Sequence, residues 1–184
     1  MPLKTLVKIG SITNLSDARY CAGMGVDLLG FGVIEGQVNY IPPGEFQEIR
    51  GWVTGPQIVA ELFGIKNQKE LNAVLEDYKP DYLEMGFDEL SLFSSLPLPL
   101  ILSLQVGDSL QRLHLNPAYL LVKELKDIFR SYPLLLQVES NDDVERALND
   151  PHIKGIAMNG SSEIRPGLKD YNALAEILEQ LEVD

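Results

Sequence analysis

One stretch of this sequence has the composition of an anion cradle. Gly155-Ile156-Ala157-Met158 is a short apolar run, and Asn159-Gly160-Ser161-Ser162 follows it. Arg165 comes three residues later, and a helical pattern then runs over Tyr171–Leu181. Small side chains after a strand let backbone N–H groups converge on an anion, and a following helix adds positive potential. Asn159, Gly160, Ser161, Ser162 and Arg165 are therefore the phosphate-binding candidates. The competing reading is a connector whose Gly and Ser only permit the turn. Transition-metal chemistry has little to draw on, because Cys21, His114 and His152 are the only residues of their types. No metal or cofactor is expected.

The elements that must position this loop alternate regularly. Strand patterns fall at Thr5–Ile9, Leu28–Ile34, Ile58–Phe63, Tyr82–Met85, Leu100–Leu104, Tyr119–Val122, Leu134–Val138 and Gly155–Met158. Between them lie helical patterns: from an Asn14 or Thr13 cap to Met24, from Pro42-Pro43 to Gly51, Gln68–Tyr78 and Glu89–Leu96. Shorter ones follow at Asp108–Leu113, Glu124–Ser131 and Asp142–Leu148. Apolar strands alternating with amphipathic helices predict a parallel sheet. Eight such units predict an α/β fold of the (β/α)8 TIM-barrel class, a compact single domain over residues 1–184. A doubly wound open sheet is the second possibility. In either architecture the functional end is the carboxyl edge of the strands.

The chain has 184 residues, is 45% hydrophobic and 23% charged, and carries a net charge of −12. That balance argues against nucleic acid and anionic membranes as partners, both of which call for clustered Lys and Arg. No apolar run reaches membrane-spanning length, and Met1-Pro2-Leu3-Lys4 has no signal-peptide character, so the expected location is the cytoplasm. Whether the protein is a monomer or a homodimer is left open.

Two motifs at opposite ends of the chain carry a family resemblance. Val7-Lys8-Ile9-Gly10-Ser11-Ile12-Thr13-Asn14, then Asp17-Ala18 and Gly25-Val26-Asp27-Leu28-Leu29-Gly30-Phe31, resembles the opening of phosphoribosylanthranilate isomerase. Tyr40-Ile41-Pro42-Pro43, Glu163 and Pro166-Gly167-Leu168-Lys169-Asp170 continue the likeness. The resemblance implies a small (β/α)8 barrel, a phosphorylated small-molecule ligand and an Amadori rearrangement of an aminoaldose phosphate. It also implies a cysteine base at the end of strand one and an aspartate acid at the end of strand six. Here the cysteine position is Gly10, and strand six ends in Leu121-Val122-Lys123. Asn39 stands where the family has arginine, Gly86 where it has histidine, and Gln137-Val138 where it has a Gly-Gly turn.

Each missing acid or base is worth about 10²–10⁴ in rate. The divergent chain is therefore expected to bind a phosphorylated metabolite without the usual isomerisation. The alternatives are a working isomerase with a relocated acid/base pair, or a scaffold protein. If Gly10 faces the barrel interior, alternation places Lys8 there too. Lys8, Glu84 and Glu139 are then the candidate catalytic groups, with Glu61 interrupting the apolar third strand as a further partner for Lys8. A structural ion pair in a polar layer is the competing reading.

Overall fold

The computed structural model describes residues 3–160, 163–165, 168–169 and 172–183. Eight parallel strands close into a barrel in the order β1-β2-β3-β4-β5-β6-β7-β8. They are β1 (Leu6–Gly10), β2 (Leu28–Gly32), β3 (Gln57–Glu61), β4 (Tyr82–Met85), β5 (Leu100–Ser103), β6 (Tyr119–Val122), β7 (Leu134–Gln137) and β8 (Ile153–Asn159). Closure runs along β1 and β8, registered from Leu6↔Gly155 to Gly10↔Asn159.

The outer layer consists of α1 (Leu15–Gly23), α2 (Pro43–Trp52), α3 (Gln68–Tyr78), α4 (Phe87–Leu90), α5 (Asn141–Asn149) and α6 (Asn172–Gln180). Side-chain oxygens set three of the helix starts. Asn14 accepts from Asp17 N–H, Asn67 from Glu70 N–H, and Ser140 from Asp143 N–H. Outward strand residues such as Ile9, Phe31, Leu83 and Val122 pack with Phe46, Leu71 and Val144 of the helices in one continuous core.

Three expected helices are reduced. Glu89 sits at the third helical position of α4 and folds back, its carboxylate accepting from Gly86 N–H at 3.2 Å and from Gly64 N–H at 2.9 Å. The helix therefore begins at Phe87 and is over before Pro97 and Pro99. Asp108–Leu113 and Glu124–Ser131 keep only 3₁₀ turns, Leu110–Arg112 and Asp127–Phe129. Between β8 and α6, the segments β9 (Glu163–Arg165) and β10 (Leu168–Lys169) pair antiparallel, where the sequence suggested only a loop.

The interior follows the two-residue alternation of the strands. Leu28, Val59, Ile101, Leu121, Leu135 and Ala157 fill the barrel, with Leu6, Tyr82 and Tyr119 against them at the strand starts. Two residues further along their strands, Lys8, Glu61, Glu84 and Ser103 replace the apolar filling with a buried polar layer.

Candidate functional site

That polar layer is the floor of a cavity of about 280 Å³ at the carboxyl ends of the strands. Ser11, Asn39, Lys123, Gln137, Glu139 and Asn159 stand around it. On the floor, Lys8 Nζ lies 2.6 Å from Glu84 Oε2 and 3.2 Å from Glu61 Oε1. All three residues are at most 4% exposed. Burying a charge without a partner is costly, so these groups depend on one another.

Their electrostatics are unequal. Burial alone would pull the Lys8 proton off, but the Glu84 and Glu61 charges outweigh it and hold the ammonium above the usual lysine range. Burial pushes the Glu84 carboxyl up, the Glu61 charge adds to the shift, and Lys8 only partly offsets it. Glu84 thus takes up a proton more readily than an ordinary glutamate. Its Oε2 is held by the Lys8 ammonium at 2.6 Å.

Glu61 organises the loops above the floor. Its carboxylate accepts from Ser11 N–H at 3.1 and 3.2 Å, and from Asn39 Nδ2 at 3.3 Å. Ser11 is held at φ +57°, a left-handed conformation that a non-glycine residue adopts at a cost. The Glu61 head has room because β1 and β2 carry glycine beside it. A Cβ on Gly10 would lie 2.5 Å from Glu61 Oε1, and one on Gly30 only 2.2 Å. The position at which the resemblance implied a cysteine is therefore filled by the Glu61 carboxylate.

At the end of β6, Val122 is buried in the outer core, and the side chain reaching the cavity is Lys123. Lys8 and Glu84 meet as the sequence suggested. Glu139 stands on the rim, exposed, with its backbone N–H donating to Asp143 Oδ2 at 3.2 Å. Asn159 also lines the cavity. The Gly160 N–H donates to Gly10 O at 2.7 Å, so it extends the β8–β1 seam. Ser161, Ser162 and the Arg165 side chain lie outside the described residues. Ser103 and Lys123 were legible by alternation from the inward Ile101 and Leu121. The hold of Glu61 on Ser11 had no sequence signal. His114 and His152 are both exposed, and the His114 ring nitrogen lies 2.8 Å from Phe93 O.

Solved structures with this architecture cover nearly the whole chain. A phosphoribosylanthranilate isomerase in complex with reduced 1-(o-carboxyphenylamino)-1-deoxyribulose 5-phosphate matches with a TM-score of 0.75 and 19% identity, over 95% of this chain and 97% of that one. A monomeric form of the dimeric enzyme from Thermotoga maritima gives 0.76 and 19%, over 96% and 98%. The enzyme from Thermus thermophilus gives 0.71 and 17%, over 96% and 100%. The fold is the (β/α)8 barrel that these isomerase structures also have. No protein-family model matches the sequence, and no curated protein sequence matches it. At these identities the likeness shows the fold alone, and the chemistry depends on the residues of the cavity.

Proposed function

We propose that this chain is a divergent relative of phosphoribosylanthranilate isomerase that binds a phosphorylated small metabolite at its barrel mouth without Amadori isomerisation. One observation carries the reading: Glu61 occupies the space above Gly10, within 2.5 Å of where a side chain there would begin. The base position implied by the resemblance is thus replaced by a carboxylate already committed to Lys8, Ser11 and Asn39. At the β6 end a lysine, Lys123, stands in the mouth instead of an acid. What remains is a polar cavity with amide and hydroxyl groups suited to a polyhydroxylated ligand.

In this reading the phosphate lies toward the Asn159–Gly160 end of β8, with Ser161, Ser162 and Arg165 as further candidates, and Lys123 across the mouth adds positive charge. Asn159→Asp would place a carboxylate beside that phosphate and weaken binding of ribose 5-phosphate or glucose 6-phosphate at least tenfold, read by calorimetry. The melting temperature should stay within a few degrees of the parent, since Asn159 is exposed. Unchanged affinity would remove the β8 end from the site.

A further inference from the structure

A second cavity lies beside the mouth, where the outer layer is thinnest. After β5 and β6 the chain keeps only the 3₁₀ turns Leu110–Arg112 and Asp127–Phe129. Between the two strand ends is a space of about 150 Å³, which meets the mouth at Leu104, Gln105 and Lys123. Leu104, Val122 and Phe129, each at most 7% exposed, form its buried wall. Val106 stands at its edge, an apolar side chain left 93% exposed.

The charges here run against those of the whole chain. Lys123 and Lys126 line the cavity with Glu124 as the acid beside them, whereas the chain as a whole carries −12. Among the described residues neither lysine is in an ion pair. The Lys126 ammonium lies 5.8 Å from the centroid of the Phe129 ring, which places it over the apolar wall.

We propose that this cavity binds a short aliphatic carboxylate. The carboxylate meets the Lys123 and Lys126 ammonium groups in charge-assisted hydrogen bonds, and the chain covers Leu104, Val106 and Phe129. An apolar cavity of this volume takes a benzene-sized group, so the chain is about six carbons long. A phosphate dianion suits the cavity poorly, because Glu124 opposes a second negative charge and the wall is apolar. An amine is repelled by the two lysines. The site is separate from the one proposed for the phosphorylated metabolite, since Lys8, Asn159 and Gly160 do not line it.

The test titrates hexanoate, acetate and 1-hexanol into the intact, isotope-labelled protein and follows the backbone amide NMR shifts. Hexanoate should shift amides of residues 104–106 and 122–129, and bind about tenfold or more tighter than either comparison compound. In Lys126→Glu, whose exposed side chain leaves the fold intact, hexanoate affinity should fall at least tenfold. Acetate binding as tightly as hexanoate overturns the apolar part of the site, and 1-hexanol doing so overturns the charged part. No shift, or shifts confined to other residues, overturns the site altogether. Unchanged affinity in Lys126→Glu does the same. Lys126 does not line the mouth, so each of these outcomes is independent of phosphate binding there.

Discussion

At the level of single residues, the buried trio makes opposite demands on its members. Among the described residues Lys8 is the only cation touching the two buried carboxylates, so Lys8→Met leaves both without that counter-charge. Removing one partner of a buried pair costs about 3–5 kcal/mol. We expect a loss of that size in urea unfolding near pH 7, with part of it recovered on acidification as the buried Glu84 carboxylate takes up a proton. Glu84 behaves in the opposite sense. Its folded-state carboxyl is raised above the ordinary value of 4.5 by burial, so folding favours the protonated form. Stability from this group is full below about 4.5 and is lost as pH rises toward the folded value. Glu84→Gln removes that loss and leaves Lys8 paired with Glu61. Its stability relative to the parent should therefore increase between pH 4.5 and 7, and a flat difference would contradict the shift. Gly10 completes the picture, since a methyl there would meet Glu61 Oε1. Gly10→Ala should cost about 1–3 kcal/mol by overpacking. Much of that cost should vanish in a Glu61→Ala background, a coupling that a double-mutant cycle measures directly.

The elements show which signals a sequence exposes and which it hides. A short polar side chain before an amphipathic run marks a cap, which narrowed the start of α1 to Thr13 or Asn14; the structure uses Asn14, and Asn67 and Ser140 act in the same way at α3 and α5. Asn67 caps α3 away from the trio, so Asn67→Ala should lower stability by about 1 kcal/mol and leave ligand affinity unchanged. The shortened α4 was hidden because Glu89 looks like a helix-starting acid, while its carboxylate in fact reaches back to Gly86 and across to Gly64. The segments after β5 and β6 had helical spacing over too few residues to pay the cost of nucleation. They settle as 3₁₀ turns packed through Leu110 and Phe129. The β9–β10 pairing was hidden because the sequence of that segment reads only as small and polar.

For the whole molecule, the barrel was legible because eight apolar runs alternate with helical spacing, and closure then requires β8 to meet β1. The placement of Lys8 inside it followed from the same alternation. What alternation could not supply was the partner arrangement: that Glu61 from β3 leans over β1, into space left by Gly10 and Gly30. Such a placement depends on two strands at once, and one-dimensional periodicity carries no information about it. Among the described residues no helix is long and apolar enough to cross a membrane. Short loops and reduced helices fit a closed barrel into 184 residues while leaving the carboxyl mouth open.

The most direct test of the proposed function is whether the barrel mouth isomerises phosphoribosylanthranilate. Freshly prepared phosphoribosylanthranilate is supplied to the purified, folded protein, and loss of its anthranilate fluorescence is followed. With Glu61 in the base position and Lys123 at the β6 end, the predicted result is decay at the buffer rate. Decay well above that rate, abolished by Lys8→Met or Glu84→Gln in folded protein, would contradict the account and make the buried trio a relocated catalytic set.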